Sequence, residues 1–208
     1  MKKLSLNFSF WLVTLMSVLA GCSKSAVTPA QPTASATTHD AVVTGYKVKG
    51  YMFLREPGPF GLGHTGVGYE VREMSGTTVT KVYTYCGGVE GMNNSPFIGV
   101  GYPNGGWVVY NLNSNASMIT AMRAKGYTSY KYEVGFRNIP LANLNGASNM
   151  IRYFPNRGYG VAENNCANAV YDVLSWIAAP GLAWPETNWA PRDQFNKSMT
   201  GWSGAVRL

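Results

Sequence analysis

Nine residues, Asn164-Asn165-Cys166-Ala167-Asn168-Ala169-Val170-Tyr171-Asp172, set a thiol where a helix should begin. From Cys166 the apolar positions run through Ala169, Val170, Val173, Leu174 and Ile177, the stripe of an amphipathic helix. Asn165 is suited to cap that helix, and Pro180-Gly181 predicts its end. A thiol in the first turn faces unpaired backbone N–H groups and the positive end of the helix dipole. Both favour the thiolate, the nucleophilic form. Acyl transfer also needs a base and donors for the oxyanion. The segment expected to fold offers one histidine, His64, in Gly63-His64-Thr65-Gly66-Val67-Gly68-Tyr69-Glu70-Val71. Cys166 itself contributes a backbone N–H at the helix start, and the Asn165 amide is a supporting donor as well as a cap.

These residues need a scaffold, and the pattern along the chain predicts one. Val42 to Leu54 reads as a strand. A loop rich in glycine and proline then delivers His64 to a second strand ending near Val71. Thr78 to Cys86 returns after a turn at Ser75-Gly76. Gly91 to Gly106 is a long loop, Trp107 to Leu112 a strand and Asn115 to Lys125 a helix. A strand follows over Tyr127 to Phe136, and a helical stretch over Ile139 to Phe154 carries an interruption at Gly146. The expected class is α+β, a mostly antiparallel sheet packed against the helix that bears the nucleophile. With Ser75-Gly76 as a two-residue turn, His64 would lie opposite Gly87. Tyr85 would then sit diagonally on its face as a candidate orienter of the imidazole, Cys86 would point to the other face, and Glu70 would face Lys81. As a strand former, Tyr85 could equally be a plain sheet residue.

The chain opens on an address. Lys2 and Lys3 precede an apolar run from Phe8 to Leu19 and then Leu19-Ala20-Gly21-Cys22, which resembles a bacterial lipoprotein signal. That resemblance implies removal of residues 1–21, lipid on Cys22 and a membrane partner through that lipid. Ser23 in the next position resembles the outer-membrane sorting pattern, so the expected location is the cell envelope. Residues 22–41 are rich in Ser, Ala, Thr and Pro and read as a tether, which includes His39. Residues 42–208 form one domain.

Without Lys2 and Lys3 the chain holds 15 basic and 10 acidic residues. They are scattered, with no cluster of the kind that binds nucleic acid. No cofactor motif is present, and one histidine with no close cysteine pair does not make a metal site. Cys86 and Cys166 remain once Cys22 is set aside, so a disulfide and a free Cys166 are both open. Trp184, Trp189 and Trp202, with Pro185 and Pro191, suggest an aromatic C-terminal segment that either lines a groove or fills surface.

Gly63-His64-Thr65-Gly66-Val67-Gly68, followed about a hundred residues later by Arg157-Gly158-Tyr159-Gly160-Val161-Ala162-Glu163-Asn164-Asn165-Cys166-Ala167-Asn168, resembles the circularly permuted papain-like domains. These join lecithin retinol acyltransferase to bacterial relatives of the NlpC cell-wall peptidases. The resemblance implies Cys166 as nucleophile, His64 as general base and a cysteine acyl-enzyme acting on amide, ester or thioester bonds. Cell-wall peptides are then the expected substrate. A lipid acyltransferase or esterase, or a non-catalytic lipoprotein with a Cys86–Cys166 disulfide, are the alternatives. Tyr85 departs from the family's commoner His, Asn or Gln at the orienting position.

Overall fold

The computed structural model describes residues 42–57, 61–90, 105–160, 164–182 and 190–208. The signal segment, Cys22, the tether with His39, residues 91–104 of the long loop, and Trp184, Pro185 and Trp189 lie outside the described residues. Seven strands, β1 (Gly45–Arg55), β2 (His64–Ser75), β3 (Thr78–Gly88), β4 (Trp107–Leu112), β5 (Ser129–Tyr132), β6 (Arg137–Ile139) and β7 (Val206–Arg207), form one sheet. Its order is β4-β3-β2-β1-β5-β7, with β6 also pairing β1, and every pairing is antiparallel. The helices are α1 (Asn115–Ala124), α2 (Leu141–Arg152), α3 (Cys166–Trp176) and α4 (Pro191–Asn196). The domain is therefore α+β with a mostly antiparallel sheet. No helix among the described residues is long and apolar enough to cross a membrane.

Alternation along β1 divides the core. Val48, Met52 and Leu54 join a cluster with α2 and α3 residues such as Leu144, Ile151, Val170 and Leu174, whereas Tyr51 and Phe53 join Met118 and Met122 of α1. Both faces are thus covered, which explains why β2 is buried at every position from His64 to Val71. β1 and β2 pair over their whole lengths, down to Arg55 opposite His64 at the end that carries the site.

Several boundaries differ from the sequence reading, each for a local reason. The expected strand from Tyr127 to Phe136 is only the shorter β5, because the chain leaves β1 at Glu133 and returns to it as β6 from Arg137. The buried Glu133 carboxylate takes two hydrogen bonds from Arg137, at 3.0 and 2.8 Å, which fixes that break. Arg137 also donates to the Ile177 carbonyl at 2.6 Å. Helix α3 accordingly ends at Trp176, short of Pro180-Gly181, with Ala178 in the left-handed region at φ 51°. The C-terminal segment is not merely irregular: it contains α4 and β7, and Trp202 Nε1 donates to the Pro180 carbonyl at 2.8 Å.

Gly146 does not interrupt α2, which runs through it. A Cβ at that position would overlap the indole of Trp176 on α3, so the glycine is where the two helices approach. Gly146→Ala should therefore destabilise the fold by about 1–3 kcal/mol through overpacking. In a Trp176→Ala background the same change should stabilise by up to about 1 kcal/mol, the helix propensity gained. Urea denaturation of the four proteins in this double-mutant cycle measures the reversal; equal effects in both backgrounds would refute the contact.

Candidate functional site

The start of α3 is braced on both sides. The Asn165 side chain accepts from the backbone N–H groups of Ala167 (2.8 Å) and Asn168 (3.1 Å), and the Asn168 side chain accepts from Asn165 N–H (3.0 Å), a complete capping box. The Asn165 carbonyl oxygen is therefore engaged in holding the helix. Upstream, Arg157 Nε donates to Asn164 Oδ1 at 2.6 Å while its terminal nitrogen pairs with Asp172, nearly two turns into α3, at 2.5 Å. Asn164 returns a hydrogen bond to the Arg157 carbonyl at 3.1 Å. This clasp sets where Cys166 enters the core, with 1% of its surface exposed.

His64 begins β2, and Gly63 before it has φ 77°, a backbone turn that favours glycine. A Cβ there would also press on Arg192 of α4, whose N–H donates to the Leu62 carbonyl at 2.9 Å. His64 is buried, its ring centroid 6.0 Å from that of Tyr127. It meets the Cys166 sulfur as a hydrogen-bond partner. Burial pushes the thiol up, but the His64 charge and hydrogen bond, with the backbone N–H and hydroxyl of Thr65, outweigh it and bring the Cys166 pKa down to about 7. The Tyr159 hydroxyl also hydrogen-bonds the sulfur, and burial raises its own pKa well above the ordinary range.

The group facing the other side of the imidazole is Glu90. His64 Nε2 lies 3.8 Å from Glu90 Oε1, too far for a hydrogen bond but close enough for charge attraction. Glu90 is itself held by Arg55 through both terminal nitrogens, each at 3.2 Å, and by Trp107 Nε1 at 3.2 Å. Arg55, His64, Glu90 and Trp107 lie at or just beyond one end of β1, β2, β3 and β4, which are neighbours in the sheet. Four adjacent strands thus bring Arg55, Glu90 and His64 to one place, where the start of α3 adds Cys166.

Tyr85 does not reach this group. It stacks on Tyr69 at 4.9 Å between centroids, and its hydroxyl accepts from Arg152 at 3.4 Å. The expected register fails in two steps. The turn residues are Gly76-Thr77, so Ser75 pairs with Thr78, and a bulge at Glu73/Met74 then moves the partner once more. The partner of His64 is displaced by three residues, from Gly87 toward Glu90, and that odd displacement exchanges the faces of Tyr85 and Cys86. Tyr69 pairs Tyr85 and Gly68 pairs Cys86, which puts Cys86, not Tyr85, on the side of the sheet that His64 faces. Glu70 correspondingly faces Thr84 rather than Lys81 and pairs with Arg72 Nε at 3.0 Å.

Cys86 and Cys166 are both free and buried, so the expected alternative of a disulfide between them is not the arrangement of this fold. Cys86 packs among Tyr51, Phe53, Met118 and Tyr127, and burial alone pushes its pKa up to about 12. Glu90, Thr65 and Tyr159 are the residues that sequence reasoning passed over. Tyr159 stood inside the Arg157–Asn168 motif, and Glu90 was the acid where β3 runs into the glycine-rich loop. No protein-family model, curated protein or solved structure matches the chain.

The two thiols should separate by pH. Alkylation of the native protein by iodoacetamide should modify Cys166 alone, its rate rising with pH as the thiol deprotonates, with a midpoint near pH 7. Because the sulfur is buried, the midpoint rather than the absolute rate is the measurement. His64→Ala should move the midpoint above that of an ordinary thiol, about 8.5, since burial is then unopposed by the imidazolium. An unchanged midpoint in that variant would contradict the pairing.

Proposed function

We propose that the protein is a cysteine hydrolase of amide bonds, anchored in the cell envelope through lipid on Cys22, with a circularly permuted papain-like domain and cell-wall peptides as its substrate class. The observation that carries the reading is a buried helix-start thiol drawn down to about 7 beside an imidazole backed by a carboxylate. Supporting it are the order of the residues, His64 before Cys166, and the sheet-and-helix setting in which they lie.

In this reading the Cys166 thiolate attacks the substrate carbonyl carbon. The C–S bond forms as the carbonyl electron pair moves to oxygen, beside the Cys166 backbone N–H at the start of α3. As the tetrahedral adduct collapses, the C–N bond breaks and His64 gives its proton to the departing amine. His64 then removes a proton from water as that water adds to the thioester, and the thiolate leaves, freeing the carboxylate product. Glu90 is a positioning residue here. Tied to Arg55 and Trp107, its carboxylate lies 3.8 Å from His64 Nε2 and orients the ring on which each proton transfer turns.

The test is incubation of the purified protein with peptidoglycan fragments, with products weighed by mass spectrometry. Hydrolysis should add one water across an amide and be lost in Cys166→Ala. Glu90→Gln should lower kcat by about tenfold or more with little change in KM. Cleavage of lipid esters without amide cleavage would transfer the site to the esterase alternative, and no turnover of either class would leave a binding protein.

Anchoring has its own check. Cys22→Ser should accumulate an unprocessed precursor, whereas the native chain should carry lipid on its first residue after cleavage. A soluble exported form of the variant, cut elsewhere, would overturn the lipoprotein reading.

A further inference from the structure

We propose that Gln194 is the substrate-binding residue of this site, its side-chain amide pairing with a secondary amide of the substrate beside the bond that is cut. The inference rests on the hydrolase reading above and narrows it to substrates that carry a peptide group. Gln194 is 5% exposed, and among the described residues neither its Nε2 nor its Oε1 has a hydrogen-bond partner. Buried polar atoms are nearly always paired, and leucine would fill this place without any desolvation penalty. An amide there with both atoms unanswered among the described residues calls for a partner of complementary chemistry.

The helix that carries Gln194 lies against the elements that carry the site. The inner face of α4 is formed by Pro191, Gln194 and Phe195, and α4 packs on β1, on β2, which begins at His64, and on α3, which begins at Cys166. The hydrogen bond from Arg192 N–H to the Leu62 carbonyl ties the same helix to the segment just before His64. His64 Nε2 is likewise without a hydrogen-bond partner, so unanswered polar atoms gather where β2 starts and α4 lies across it.

The chemistry selects the ligand class. A glutamine amide presents a donor and an acceptor in one plane, the complement of a peptide C=O and N–H. A lipid ester has no N–H and would leave Oε1 buried and unpaired, a mismatch that polar sites reject strongly.

The experiment compares two affinity labels, iodoacetyl-alanyl-alanine amide and the depsipeptide in which an ester oxygen replaces the N–H between the alanyl units. Each alkylates Cys166 by forming a C–S bond as iodide departs, and each rate is divided by that with free cysteine. The native protein should prefer the peptide by about five- to tenfold, the effect of one hydrogen bond gained and one buried acceptor left unanswered. In Gln194→Leu the preference should fall to near unity, while the melting temperature stays the same or rises, because no internal hydrogen bond is lost. Gln194→Met serves if the leucine variant does not fold. Rapid labelling at pH 7 with equal rates for the two probes, or a preference that survives in Gln194→Leu, would overturn the role of Gln194 and leave the hydrolase intact. Failure of both probes to label native Cys166, with the thiol titratable after unfolding, would overturn the hydrolase and this inference together.

Discussion

An ionisable sulfur held inside the protein is the constraint on which the rest of this structure turns. Removing Cys166 from water disfavours its thiolate, yet its pKa lies at about 7 rather than above the ordinary value. The difference has to come from fixed groups at close range. The start of α3 presents the positive end of a helix dipole, its Ala167 and Asn168 N–H groups being taken by the Asn165 side chain. His64 supplies a charge and a hydrogen bond, and Thr65 supplies further donors. None of these tolerates displacement, since a donor withdrawn from a buried anion leaves a penalty larger than the interaction it made. The capping box of Asn165 and Asn168 and the Arg157–Asp172 clasp are the means by which the helix start is kept in place.

That demand propagates into the sheet. An imidazolium beside the thiolate is itself a buried charge, answered by Glu90 at 3.8 Å, and Glu90 is answered by Arg55 at 3.2 Å. A thiolate and an imidazolium set in line with Glu90 and Arg55 sum to no net charge, and the outer pair keeps contact with solvent. They come from different segments, which is why the site requires β1 to β4 in register at one end. Tyr127 packs under that end, with the Arg55 guanidinium 5.7 Å from its ring and the Trp107 ring 6.3 Å away. Layers on both faces of the sheet, α1 on one side and α2 and α3 on the other, hold the strands that present these groups.

The parts of this arrangement governed by short-range pattern were legible in the chain. The stripe from Cys166 to Ile177, the asparagine before it and the glycine before His64 each express a local rule, and α3 and β2 start where those rules put them. Glu90 was not legible, because its place beside His64 depends on a hairpin register set by one turn residue and one bulge. A strand pattern of alternating type reads the same in either register. Only packing decides between them, here the pairing of Tyr69 with Tyr85 and of Gly68 with Cys86. The break at Glu133 was hidden for a similar reason: its partner Arg137 and the Ile177 carbonyl come together only once α3 is docked. Gly146 was misread as a helix breaker because its reason, the indole of Trp176, belongs to another helix.

The two cysteines of the domain show how far environment, not residue type, decides chemistry. Both are buried, and both have Tyr127 in electrostatic range. Cys86 stands in the middle of a strand whose backbone groups are taken up by the ladder, among apolar and aromatic side chains, and burial alone moves it up to about 12. Cys166 stands at the start of a helix, beside a strand that begins with histidine, and it moves the other way. A fold that needed only two small apolar residues could have used alanine at both positions. At Cys86 the sulfur serves as packing, whereas at Cys166 packing cannot account for the capping box, the imidazole, the carboxylate and the arginine assembled around it. That assembly is costly to desolvate and contributes little to stability that apolar side chains would not contribute more simply, which is the physical ground for the role proposed for the thiolate.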